Sequence, residues 1–189
     1  MLGTRTKSFR NKKEALMKKA LIIHGWESHS RDHWFQEEKS ILESLGYMVE
    51  VPDMPNTFHP KKDEWVKVIE DFDPDENSVL IRHSLGAPAI LRYLEKAKKK
   101  VGKAFLLAGF SKPLGTDFEA VTNFVQEPFD WDKITANAGQ FIIINQKDDP
   151  YVPIDAGKEA ADKTEGKFVL VEGNNHFDKM DLNLINKYL

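Results

Sequence analysis

Short, strongly apolar runs alternate along the chain with amphipathic stretches, the pattern of a mostly parallel sheet covered by helices. Ala20-Leu21-Ile22-Ile23-His24 predicts a first, buried strand. From about Asp32 to Leu45, Trp34, Phe35, Ile41, Leu42 and Leu45 fall on one side of a predicted helix, and Gly46 ends it. Tyr47 to Val51 predicts a second strand, closed by Pro52, and Lys62 to Asp71 a helix with Trp65, Val66 and Ile69 apolar. Ser78 to Ile81 predicts a strand that breaks sharply at His83-Ser84, followed by a helix over Ala87 to Lys98. Lys103 to Ala108 and Phe141 to Asn145 predict two more strands, Asp155 to Lys163 a helix, and Lys167 to Val171 the last strand. A closing helix is expected from about Asp178 to the end, while residues 109–139 are less regular. About six strands with intervening helices make one three-layer α/β domain over residues 18–189.

Composition changes this picture little, and charge changes it more. The 189 residues carry a net charge of −3, but residues 1–19 hold seven Lys/Arg against the single acid Glu14, so the rest of the chain is at −9. An acidic body disfavours a nucleic-acid face, because a phosphate backbone would repel it. No apolar run approaches the roughly 20 residues that span a bilayer, so no membrane partner is expected. The basic start has no long apolar core and does not read as a secretory signal. Met17-Lys18-Lys19-Ala20 reads as a start directly before the first strand, which makes residues 1–17 a basic N-terminal extension. There are no cysteines, which excludes disulfides, thiolate metal sites and a cysteine nucleophile, and fits a cytoplasmic location.

Three loops follow the carboxyl ends of predicted strands, where α/β sheets place their sites. In Arg82-His83-Ser84-Leu85-Gly86-Ala87-Pro88 a serine stands between strand and helix with glycine two residues on, as in a nucleophile elbow. The turn is tight enough to want small residues two before and two after the serine; Gly86 complies and Arg82 does not. Taken alone, the serine is accounted for equally well as a helix cap. The second loop, Asn145 to Pro153, carries acids at 148 and 149, and alone it reads as a solvated turn. The third, Val171 to Phe177, places His176 on a Gly/Asn stretch free to project over the sheet. Together they present serine, acid and histidine in the chain order of α/β-hydrolases. A serine hydroxyl needs an imidazole to take its proton, and the imidazole needs a carboxylate to hold its tautomer. The oxyanion that forms needs backbone donors, of which Leu85 N–H is one and the His24-Gly25-Trp26 loop, most simply through Trp26 N–H, supplies the other.

His24-Gly25-Trp26, Asp32-His33-Trp34, Pro52-Asp53-Met54-Pro55, His83-Ser84-Leu85-Gly86-Ala87, Asp148-Asp149-Pro150-Tyr151-Val152-Pro153 and His176-Phe177 together resemble the retinoblastoma-binding protein 9 family of small serine hydrolases. The resemblance covers about residues 18–189. It implies an α/β-hydrolase fold with little or no lid, no cofactor, and a Ser84–Asp149–His176 triad acting on a small ester, thioester or amide. Asp149 is implied over Asp148 because the family's acid lies four residues before the second proline, here Pro153. Aryl-ester hydrolysis and aminopeptidase-like activity are associated with the family. The departure from its pattern is Arg82, whose side chain must thread between strand and helix or bend the elbow. The competing reading is therefore a hydrolase-fold binding protein with catalysis weakened by Arg82.

Other signals carry less. Asp71, Asp73 and Asp75 imitate a calcium loop, but Glu76 and Arg82 stand where glycine and glutamate belong. His29 and His33 are spaced for a shared metal on a helix, but no His-Glu-x-x-His pattern supports it and Ser28 to Ser30 suggest loop before helix, so no metal is expected. Instead, His33 and Trp34 are expected to pack or hydrogen-bond beside the first oxyanion loop. Trp26, Trp34, Phe110, Phe124 and Phe129 are candidate walls for an apolar acyl pocket.

Overall fold

The computed structural model describes residues 17–189, so the extension read over residues 1–17 lies, but for Met17, outside the described residues. The apolar runs become β1 (Lys19–Ile23), β2 (Met48–Glu50), β3 (Ser78–His83), β4 (Val101–Leu107), β5 (Ala138–Gln146) and β6 (Lys167–Val171). They pair in parallel in the order β2-β1-β3-β4-β5-β6. Parallel strands buried on both faces have no solvent side, which is why β3 is buried at every position and its sequence does not alternate. The chain leaves β1 toward β2 and then crosses back to β3 on the other side. The crevice between the ends of β1 and β3 is therefore the switch point where open α/β sheets hold ligands.

The helices are α1 (Phe35–Ser44), α2 (Lys62–Phe72), α3 (Gly86–Leu94), α4 (Trp131–Ala136), α5 (Ile154–Thr164) and the single turn α6 (Asn183–Asn186). On one face of the sheet α2, α3, α4 and α5 touch in series. On the other lie α1 and α6, with the buried Glu38 of α1 beside Asn186. Strand alternation sends successive residues of β3 to opposite faces. Arg82 therefore turns toward α3, where its Cβ faces Gly86, and His83 turns toward α1, where its ring meets Phe35.

Several boundaries differ from the sequence reading for identifiable reasons. The first helix begins at Phe35, not Asp32, because His33 is left-handed (φ 50°) and Asp32 accepts hydrogen bonds from Ser28 Oγ (3.0 Å) and His29 N (2.7 Å). The helix expected to reach Lys98 stops at Leu94, and Glu95 pairs back with Arg92. The closing helix shrinks to one turn, because Asp181 Oδ1 accepts the Asn183 N–H and starts it late. Residues 109–139 hold two 3-10 turns around a kink at Phe118 (Thr116–Phe124), α4 and the start of β5, each too short to show a period.

Candidate active site

Four loops leave the carboxyl ends of β1, β3, β5 and β6 and meet over the switch point. Ser84 follows β3 with φ 49°, a left-handed conformation that a residue with a Cβ adopts at a cost of about 1–2 kcal/mol. The strain is held by hydrogen bonds on both sides of the turn, from Ser84 N to Leu107 O (2.9 Å) and from Ala87 N to Ser84 O (2.8 Å). Space for the turn comes from two glycines. A Cβ on Gly25 would stand 3.1 Å from Ser84 Cβ, and one on Gly86 would stand 3.0 Å from Arg82 Cβ. Arg82 does not unbend the elbow; its side chain threads beneath it toward Gly109 and is fully buried.

His176 stands on the loop after β6, also left-handed (φ 53°), and its Nδ1 lies 3.0 and 2.9 Å from Asp149 Oδ1 and Oδ2. The Asp149 side chain is fully buried, and Oδ1 also accepts the N–H groups of Tyr151 and Val152, both at 2.9 Å. Burial alone would raise this carboxyl's pKa, but the His176 hydrogen bond and charge and these backbone donors hold it below the ordinary aspartate value. Asp148 is exposed and its own N–H bonds Gly173 O, which places it outside this cluster. Nδ1–H of His176 therefore points at the carboxylate and leaves Nε2 free to accept a proton. Ser84 and His176 line one cavity without a direct hydrogen bond between them. Such bonds are often long in unliganded enzymes and tighten around substrate.

Gln146, to which the sequence reading gave no role, holds the histidine loop together with Trp34 and His83. Gln146 Oε1 accepts from Asn175 N (3.1 Å) and Phe177 N (3.3 Å), while its Nε2 donates to Asn175 Oδ1 (2.8 Å). Gly173 (φ 147°) makes room for this amide, since a Cβ there would come within 2.5 Å of Nε2. Trp34 Nε1–H donates to Phe177 O (2.9 Å), so Trp34 braces the His176 loop and not the oxyanion loop. His83 Nε2–H donates to His176 O (2.6 Å), and burial holds His83 well below the usual histidine range, hence neutral. His33 packs on His83 at 5.6 Å and faces Asp178 at 3.6 Å.

The loop after β1 is pinned through His24. Its Nε2 accepts Met54 N–H (2.8 Å) and its Nδ1–H donates to Gly25 O (2.8 Å), a pairing that only the neutral ring can make. Burial lowers its pKa accordingly. His24 thus fixes the backbone of Gly25 and Trp26 against the Pro52–Pro55 turn and is not itself exposed to the cavity.

The cavity measures about 300 Å³, and Ser84, Leu85, His176, Trp26 and Phe110 line it. The remaining apolar wall is Leu114, Phe118, Val121 and Tyr151, none of them proposed from the sequence. Phe124 packs instead on Trp65, and Phe129 on Trp131 and Arg92. Trp26 and Tyr151 both meet Phe118 edge-on at 6.1 Å, and Tyr151 abuts the His176 ring at 5.0 Å. The short irregular segment after β4 therefore walls the site, and no separate lid stands over it among the described residues.

Comparison with known proteins adds the family. A sequence model described as serine hydrolase matches residues 20–181. The chain belongs to the serine hydrolase family. This serine hydrolase is 34% identical over 166 residues to YdeN of Bacillus subtilis (strain 168), covering 86% of this chain and 87% of that one. It is 27% identical over 162 residues to serine hydrolase RBBP9 of Rattus norvegicus, covering 85% and 82%. The crystal structure of the B. subtilis ydeN product superposes with a TM-score of 0.81 at 33% identity, covering 85% of this chain and 88% of that one. Est1E from Butyrivibrio proteoclasticus, at 17% identity, shares the fold with a TM-score of 0.70, covering 91% and 85%. Among the described residues no helix is long and apolar enough to cross a membrane.

One buried side chain ties the cavity wall of this serine hydrolase to its scaffold. Arg92 of α3 donates from Nε to Phe124 O (2.8 Å), from Nη1 to Pro128 O (3.2 Å) and Glu95 (3.0 Å), and from Nη2 to Glu127 O. Its guanidinium lies 3.7 Å from the centre of the Phe129 ring. Arg92→Met leaves these carbonyls without their donor and Glu95 with only the Asp130 N–H, so it is expected to cost about 3 kcal/mol in urea unfolding. Because Phe118 and Val121 sit on the released segment, KM should rise more than kcat falls.

Proposed function

We propose that the protein hydrolyses a small ester, thioester or amide through an acyl-Ser84 intermediate, with His176 as base and Asp149 as its partner. Ser84 Oγ attacks the acyl carbonyl carbon while His176 Nε2 takes the hydroxyl proton. The carbonyl oxygen becomes an oxyanion, received by the N–H groups of Leu85 and Trp26. Collapse of this intermediate expels the alcohol, thiol or amine, which takes the proton from His176. Water then attacks the acyl-serine, giving its proton to the same nitrogen, and the acid leaves with Ser84 restored. Asp149 keeps the imidazole in the required tautomer and stabilises its charged form.

The observation that carries this reading is a strained, solvent-reachable serine on the same cavity as an imidazole bonded to a buried carboxylate. Backbone strain at nucleophiles persists where the surroundings over-determine it, as the two glycines and two hydrogen bonds do here. The aromatic walls and modest volume favour a small apolar or aryl acyl group. A fluorophosphonate probe tests the reading directly. It is expected to label the wild-type protein on Ser84 and to leave Ser84→Ala unlabelled and inactive toward aryl esters. Labelling elsewhere, or undiminished hydrolysis by Ser84→Ala, would remove Ser84 from the mechanism.

A further inference from the structure

We infer that Arg82 is a positioning residue for the hydrolysis, a sealed cation that polarises the Ser84–Leu85 peptide group and so strengthens Leu85 N–H as an oxyanion donor. The inference rests on the acyl-serine mechanism proposed above and concerns a side chain that mechanism leaves unused.

Arg82 is fully buried, and its one hydrogen-bond acceptor is Ser84 O, 3.5 Å from Nη1. Nε and Nη2 have no partner among the described residues. Burial is the one influence that acts on its pKa, and it lowers it. A guanidinium starts so high, however, that it keeps its proton in proteins. The interior therefore holds a cation that no carboxylate among the described residues neutralises, an arrangement that costs stability and that an apolar side chain of equal length would avoid. The fold nevertheless makes room for it. Gly86 leaves space beside Arg82 Cβ, and a Cβ on Gly109 would come within 3.2 Å of Nη2.

The target of that charge is specific. Ser84 C=O and Leu85 N–H belong to one planar trans peptide, so they point in opposite directions. The carbonyl oxygen faces Arg82 and the Ala87 N–H below the elbow, at 3.5 and 2.8 Å. Leu85 lines the cavity above it. Donors on the oxygen draw electrons from the nitrogen and make its hydrogen a stronger donor, as in any cooperative hydrogen-bond chain. In a low-dielectric interior the effect of an unscreened cation is larger than it would be in water. The benefit appears only when negative charge develops on the substrate oxygen, so it belongs to kcat and not to substrate binding.

Arg82→Met keeps length and removes charge. Its Tm is expected at or above that of the wild type, its KM unchanged, and its kcat toward an aryl ester lower by about tenfold, the scale of one weak transition-state contact. Binding of an arylboronic acid, which becomes a tetrahedral anion on Ser84, should weaken by the same factor, and Arg82→Lys should recover part of both losses. Should the methionine variant fail to fold, Arg82→Gln gives the same reading. Unchanged kcat and boronate affinity in these neutral variants would overturn the inference, and so would a faster Arg82→Gly, which would make the arginine a burden on the elbow. Failure of the underlying mechanism would look different, since Ser84→Ala would then remain active with Arg82 untouched.

Discussion

Asp149→Asn is expected to lower kcat about 10,000-fold with KM and fold retained, the scale of such a change in other Ser-His-Asp enzymes. The carboxylate presents acceptors to three donors at once, His176 Nδ1–H and the N–H groups of Tyr151 and Val152. An amide matches its shape, and its oxygen can serve the backbone pair. Its NH₂ then faces His176 Nδ1 and selects the tautomer with the proton on Nε2, where the serine proton must go. The neutral amide also gives nothing to the imidazolium that forms during attack. Asp148→Asn is the matched control, expected to leave kcat unchanged because that side chain is exposed and outside the cluster. Comparing kcat and KM of both variants on one aryl ester decides the assignment, and equal losses would refute it.

Glu38→Gln is expected to stabilise the protein at pH 8 by about 3 kcal/mol and hardly at all near pH 4. Glu38 is fully buried under α1, and neither carboxyl oxygen has a well-formed hydrogen bond among the described residues. Burial pushes its pKa from 4.5 up to about 7; Asn186 opposes the rise and Glu37 adds to it. The sign follows from comparing the two states. Below the ordinary glutamate range both folded and unfolded chains are protonated, and ionisation adds no cost. Between pH 4.5 and about 7 the unfolded chain releases its proton while the folded one retains it, so stability falls with rising pH. Above that range both are ionised and the loss is complete. The glutamine variant does not titrate, so its advantage should grow across this interval and then level off. Urea unfolding of both proteins at several pH values measures the difference. A constant offset between them would show that Glu38 is not the titrating group.

Much of this architecture was legible in the chain because its signals are local. A parallel strand buried on both faces must be apolar throughout, and Ala20 to Ile23, Val79 to Ile81 and Phe141 to Ile144 are so with little ambiguity. Helix ends were less legible, since His33 and Asp181 set them through a backbone angle and a side-chain cap that periodicity does not register. Each candidate loop directly follows a strand run, which is why Ser84, the 148–149 acids and His176 group together in the sequence. The choice of Asp149 over Asp148 came from the family resemblance, while the aromatic wall and the Gln146 brace were not legible, because each depends on contacts between segments distant in sequence.

The sequence by itself determined the residue types, their order and the strand ends they follow, since burial dictates hydrophobic pattern and a tight turn dictates small residues. Only the tertiary structure decided how His83 and Trp34 hold the His176 loop, and where the guanidinium of Arg82 comes to rest. Those outcomes depend on direction as well as identity. A side chain's direction is set by the backbone angles, the sheet face and the neighbours that close around it.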